Sequence, residues 1–104
     1  MSIQNTVLST TAANILVGTG GIGTATTTIY LCNRSATATT FNLYAVSAGA
    51  NANVNNIIYS NKTVASNDTY IMDLEKIFLS PGDMLQANAN TANAIVATVS
   101  TIGI

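Results

Sequence analysis

Chemistry in this 104-residue chain would have to come from four carboxylates, Asp68, Asp73, Glu75 and Asp83, one thiol, Cys32, and four phenols, Tyr30, Tyr44, Tyr59 and Tyr70. There is no histidine. The commonest general base and metal ligand are therefore missing, and Ser-His or Cys-His nucleophile pairs are excluded. Cys32 has no second cysteine, so an intrachain disulfide and a cysteine-based metal site are excluded too. Its place within an alternating segment reads as a buried structural thiol rather than a nucleophile. Asp73 and Glu75 share a strand face if the strand runs that far. That is the raw material of a glycosidase pair, but solvation of the face opposite Tyr70, Met72 and Leu74 explains them more simply. No EF-hand spacing links the aspartates; turns account for Asp83 and for Asp68 with Asn67.

The Gly18 to Gly23 stretch, Gly-Thr-Gly-Gly-Ile-Gly, could suggest a phosphate loop. No Lys-Ser/Thr and no helical pattern follow it, and both fingerprints need that context. A flexible loop is the better reading. The expectation is a chain with no catalytic, cofactor-binding or metal-binding residue and no cofactor: not an enzyme. The tyrosines carry more promise. Tyr30 and Tyr44 lie opposite the expected core faces of neighbouring strands. Aromatics so placed suit protein contact or, less readily without tryptophan, a sugar platform.

The elements that must position these residues are strands. Thr, Asn, Ser and Gly are neutral to poor helix formers, and apolar residues recur with period two. Thr26 to Asn33 places Ile29 and Leu31 on one face and Thr28, Tyr30 and Cys32 on the other. Thr40 to Val46 places Phe41, Leu43 and Ala45 together. Arg34 to Ala38 reads as a hairpin connection between them. Asn56 to Ser60 and Thr69 to Leu74 are further strands, and Glu75 to Leu79 is a turn or a short helical piece. Ser80-Pro81-Gly82-Asp83 is the strongest turn signal in the chain. Met84 to Ala89 then aligns Leu85, Ala87 and Ala89, Asn90 to Asn93 turns, and Ala94 to Ile104 aligns Ile95, Ala97 and Val99. The fold class expected is all-β: an antiparallel β-sandwich or jelly roll of one domain. Residues 24–104 form the sandwich. Residues 1–23 form an N-terminal segment that is either an edge strand of the domain or an arm that adds to a neighbour's sheet.

Only 7% of residues are charged, against roughly 25% in an average soluble domain. Thr, Asn, Ser and Ala stand in their place. Neutral hydroxyl and amide groups are far easier to desolvate than ions, so such a surface is readily covered by another protein. A charge-thin secreted monomer is the other reading. Three cations, Arg34, Lys62 and Lys76, cannot form a basic patch, which argues against direct nucleic-acid binding. No apolar run approaches the roughly 20 residues of a membrane span. No signal-peptide pattern opens the chain. With the lone cysteine, this fits synthesis in a reducing cytosol. Uncharged stretches occupy Met1 to Asn33 and Met84 to Ile104. The surfaces singled out for protein contact are Ile3, Val7, Leu8, Ile15 and Leu16 in the N-terminal segment, with Tyr30, Tyr44 and Tyr59.

Three segments carry a resemblance. Tyr70-Ile71-Met72-Asp73-Leu74, then Ile77-Phe78-Leu79-Ser80-Pro81-Gly82-Asp83-Met84-Leu85-Gln86-Ala87, then Thr91 to Ser100, resemble small β-sandwich virion proteins of tailed bacteriophages. Thr28 to Asn33 and Phe41 to Val46 resemble their central hairpin. The likeness covers Thr26 to Ile104, and its motifs are turns and strand patterns. It implies a head decoration (cement) protein or a tail, neck or fibre component. It also implies a virion location after synthesis in the host cytoplasm, self-association as a homotrimer, and contact with the major capsid protein or other virion proteins. The alternatives are a tail-associated component touching host glycans and a carbohydrate-binding β-sandwich unrelated to phages.

Overall fold

A computed structural model describes residues 2–19, 23–72 and 76–103. The candidate pair Asp73 and Glu75, the neighbouring Leu74, and Gly20, Gly21 and Ile22 of the glycine stretch lie outside the described residues.

Among the described residues, nine strands follow in order: β1 Ser2–Val7, β2 Ala13–Val17, β3 Thr24–Asn33, β4 Thr39–Val46, β5 Ile57–Val64, β6 Thr69–Met72, β7 Phe78–Leu79, β8 Met84–Ala89 and β9 Ile95–Gly103. They form two antiparallel sheets. One runs β1-β9-β3-β6, with β7 also paired to β3; the other runs β2-β8-β4-β5. Four of the pairings, β1 with β9, β2 with β8, β3 with β6 and β4 with β5, are those of one long antiparallel ribbon folded at the β4–β5 loop. Wrapping that ribbon on itself joins β9 to β3 and β8 to β4. This is a jelly roll with one short added strand.

The alternation expected on β3, β4, β8 and β9 is what fills the interior. Ile29 and Leu31, Phe41 and Leu43, Leu85, Ala87 and Ala89, and Ile95, Ala97 and Val99 are all buried. The turn at Ser80 to Asp83 is also present: the Asp83 N–H donates to the Ser80 carbonyl at 2.9 Å, and Gly82 sits at φ 93°. That geometry is a type II turn, with Pro81 and Gly82 at the positions that favour them. The Asp83 carboxylate accepts from the Ala48 and Ser80 N–H groups and ties the turn to the loop after β4.

Several expectations need correction. Arg34 to Ala38 is not a hairpin connection, because β3 and β4 lie in different sheets and the connection crosses the sandwich. The strand expected at Asn56 to Ser60 continues to Val64. Phe78 and Leu79 form a two-residue strand, not a turn or helical piece. The N-terminal segment supplies the edge strand of each sheet, β1 and β2. Its Leu8, Ile15 and Leu16 are 2%, 0% and 5% exposed and belong to the domain's own core. They are not contact residues. An ordinary strand would turn only one of Ile15 and Leu16 inward. The pairing shifts between Asn14 and Leu16, and a bulge of this kind brings two consecutive side chains to one face.

The glycine stretch has a packing role at its described ends. The Gly18 N–H donates to Asp83 O, and the Gly82 N–H donates to Gly18 O. A Cβ at Gly23 would stand 2.4 Å from the Leu79 carbonyl, and Gly23 holds φ 147°. Gly23→Ala is expected to cost about 2–4 kcal/mol and to lower the melting temperature by roughly 10–20 °C. Gly49→Ala, at φ 81° with nothing within 4 Å of its Cβ, reports backbone strain alone and costs about 1 kcal/mol. Thermal melts of the two variants check the difference.

Candidate functional site

Cross-strand register decides which side chains share an outer face. On the β1-β9-β3-β6 sheet, Val7 stands beside Val96, Cys32 and Thr69. Asn5 stands beside Thr98, Tyr30 and Ile71. Ile3 adjoins Ser100 and Thr28, and Ile102 adjoins Ala25 and Phe78. Six of the nine exposed large apolar side chains among the described residues, Ile3, Val7, Tyr30, Ile71, Phe78 and Ile102, therefore share this face. Their exposure runs from 40% at Tyr30 to 69% at Ile3. The other three, Val17, Val54 and Ile58, are dispersed over β2, the β4–β5 loop and β5.

No strand residue described on this face is charged. Lys76 stands at its margin between β6 and β7, where its ammonium donates to the Thr27 carbonyl at 2.7 Å. Arg34 and Asp68 lie in connections, and each bonds main-chain groups. With strands about 4.8 Å apart and about 3.3 Å per residue, the face spans roughly 600 Å² in projection. The whole face, with Asn5, Thr28, Thr98 and Ser100 among its apolar side chains, thus reaches the upper end of the largest patches found on monomers and approaches the ~800 Å² that each partner contributes to a standard interface. The β1 edge adds six residues in continuous register with no charge, proline or bulge, features that otherwise protect an open edge.

The outer face of the β2-β8-β4-β5 sheet has different chemistry. One row is Asn14, Gln86 and Tyr44, and the next contains Asn88 and Asn42. Amides bond across the strands: Gln86 Nε2 to Asn14 Oδ1 at 2.7 Å, and Asn42 Nδ2 to Asn88 Oδ1 at 2.9 Å. Beside the second row lies an open hollow of about 180 Å³, lined by Thr10, Thr40, Asn42, Asn61, Asn88, Ala89 and Asn90.

Tyr30 and Tyr44 both point outward, but on opposite sides of the sandwich, so they form no aromatic pair. Tyr59 is not an outer-face residue. Its ring packs edge-on against Phe41 and Tyr70 at 6.0 and 5.5 Å, and the Tyr70 hydroxyl donates to the Tyr59 oxygen at 2.9 Å. Lys62 covers this cluster, its ammonium 5.0 Å from the Tyr70 ring centre. The group closes the open side of the sandwich between β5 and β6. Cys32, expected to be buried, is half-buried on the apolar outer face beside Val96 and Thr69.

Ile71, Phe78, Val96 and Ile102 were missed as surface residues. Their signal was present: each alternates with residues assigned or assignable to the core. Among the described residues no group of three or more His, Cys, Asp or Glu could hold a metal ion, and no helix is long and apolar enough to cross a membrane. Comparison with family models, with curated proteins and with solved structures finds no match.

Proposed function

We propose that this chain is a non-enzymatic structural protein of a tailed-phage particle, a decoration protein that stabilises the head by bridging major capsid proteins. The observation that carries the reading is the uncharged, apolar outer face of the β1-β9-β3-β6 sheet. Covering it removes apolar area from water and strips no ion of its hydration. A monomer that stayed apart from other proteins would place charge there, as most soluble domains do. The open β1 edge supports a second contact, in which Ile3 and Val7 flank a strand added from a neighbouring copy or capsid subunit. Jelly rolls occur in viral capsid proteins and in lectins alike, so the fold is compatible with the reading and does not select it.

Particles from which the protein has been stripped are expected to lose heat resistance and to regain it when the purified protein is added back. Unchanged resistance after stripping would remove the cement role. Copy number then decides location: hundreds per particle place the protein on the head, a few tens or fewer on the tail. Deleting residues 1–23 does not test contact, because it also removes Leu8, Ile15 and Leu16 from the core.

A further inference from the structure

The hollow on the outer face of the β2-β8-β4-β5 sheet has chemistry that the docking face lacks. The geometry points to a binding site there for one ring of a neutral carbohydrate, held by the Asn42, Asn61 and Asn88 amides with Thr40 and flanked by Tyr44. The inference stands apart from the docking role, since the two outer faces point away from each other.

Thr10, Thr40, Asn42, Asn61, Asn88 and Asn90 all carry neutral groups that donate and accept. A sugar hydroxyl does both as well, and so does an amide. An ion would find no opposite charge, and an apolar ligand would leave these groups unpaired at a cost.

The amides are also held in place. Asn88 Nδ2 donates to the Thr10 carbonyl at 3.1 Å, Asn42 Nδ2 donates to Asn88 Oδ1 at 2.9 Å, and the Asn61 N–H donates to Asn42 Oδ1 at 2.8 Å. Each of these bonds uses one hydrogen of an amide nitrogen that has two, or one lone pair of an oxygen that has two. These bonds set the direction of the Asn42 and Asn88 amides, tie the Asn61 main chain to them and leave capacity for a ligand. Such pre-organisation reduces the ordering cost of binding.

Strand β5 makes room for the hollow. Its pairing with β4 shifts between Phe41 and Leu43, and Asn61 adopts φ 52° there. Asparagine tolerates that left-handed conformation better than most residues, and strained backbone of this kind gathers at ligand sites. Two residues along β4, about 7 Å away, Tyr44 presents its half-exposed ring on the same face beside Gln86. An aromatic face suits the C–H side of a pyranose while amides take its hydroxyls. At about 180 Å³ the hollow falls below the roughly 300 Å³ of pockets for drug-sized ligands, which fits a single ring.

The test is a titration of the isotope-labelled full chain with free glucose, galactose, mannose and N-acetylglucosamine, followed by NMR. At least one sugar is expected to shift the Asn42, Asn61 and Asn88 side-chain amide signals saturably, with Kd on the order of 1 mM, as befits one shallow ring. Asn88→Leu should abolish the shifts. Thr40→Val, which keeps the side-chain shape and the amide chain, should weaken binding about 5–10-fold, the loss of one hydrogen bond, with a melting temperature close to the parent's. The proposal is overturned if none of the four sugars shifts these signals at about 50 mM, a concentration that would saturate such a site. It is also overturned if the shifts map to another face, or if Thr40→Val and Asn88→Leu, shown folded by their spectra, bind as the parent does.

Discussion

Glutamate in place of both Tyr30 and Ile71 is expected to leave the protein folded and, under the proposed decoration role, to abolish its binding to particles. The two residues stand directly opposite one another on β3 and β6, and both point outward. Neither fills the core, so the expected loss of stability is small, within about 1 kcal/mol. Docking is another matter. If this face seats on a capsid subunit, each carboxylate must be desolvated against neutral surface, and an uncompensated buried charge costs about 3–5 kcal/mol. One such charge already predicts a loss of affinity of more than about 100-fold. The measurement is co-sedimentation with stripped particles, alongside a thermal melt. A control charge on the opposite sheet, Gln86→Glu, should bind particles as the parent does. If the double variant rebinds at the parent's stoichiometry, the apolar face is not the contact.

Asn33→Ala is expected to bring the fold close to its limit of stability. Asn33 is fully buried at the end of β3. Its Nδ2 donates to the Thr37 and Val64 carbonyls at 2.9 and 3.0 Å, and its Oδ1 accepts from the Ser35 N–H and hydroxyl at 3.0 and 2.7 Å. One side chain thus ties the β3–β4 connection to the end of β5. Truncation removes four bonds at once, of which the one to the Val64 carbonyl is buried while the Thr37 carbonyl keeps the Ser35 hydroxyl; at about 1 kcal/mol each the loss is about 3–4 kcal/mol in all. A domain of this size has only about 5–15 kcal/mol to lose, so the melting temperature should fall by roughly 12–30 °C. Ser35→Ala keeps the two Nδ2 bonds and should cost about 1 kcal/mol. Asn33→Asp loses both donors and buries a charge, so it should be no better than alanine. A melt of Asn33→Ala within a few degrees of the parent would show that the connection is held by something else.

The two side chains illustrate how far the sequence could be read. Tyr30 was legible as outward, because Ile29 and Leu31 on either side claim the core. Ile71 was equally legible between Tyr70 and Met72. Asn33 was not. The sequence placed it at the end of the Thr26 to Asn33 strand with no role of its own, and only the convergence of Thr37, Val64 and Ser35 gives it partners. The same limit applies to the candidate contact set. Ile3 and Val7 are exposed, whereas Leu8, Ile15 and Leu16 are core. An apolar residue near a chain end has the same signature in either role. Asn42, Asn61 and Asn88 are far apart along the chain and carried no local pattern that could have grouped them.

The sequence by itself determined the strand class, the faces of β3, β8 and β9 and of β4 as far as Tyr44 (Val46, expected outside, is 2% exposed), and the turn at Ser80 to Asp83. Those follow from period-two burial and from the φ preferences of proline and glycine, which act over a few residues. It also determined that this chain has no histidine and little charge, and hence which chemistries it could not assemble. The tertiary structure alone decided the partition of strands between two sheets. A five-residue connection such as Arg34 to Ala38 can close a hairpin or cross a sandwich, and the choice depends on partners dozens of residues away, β9 for β3 and β8 for β4. That partition sent Tyr30 and Tyr44 to opposite faces, one apolar and one amide-rich. It also gathered Ile3, Ile71, Phe78 and Ile102, distant in sequence, into one surface that no local pattern describes.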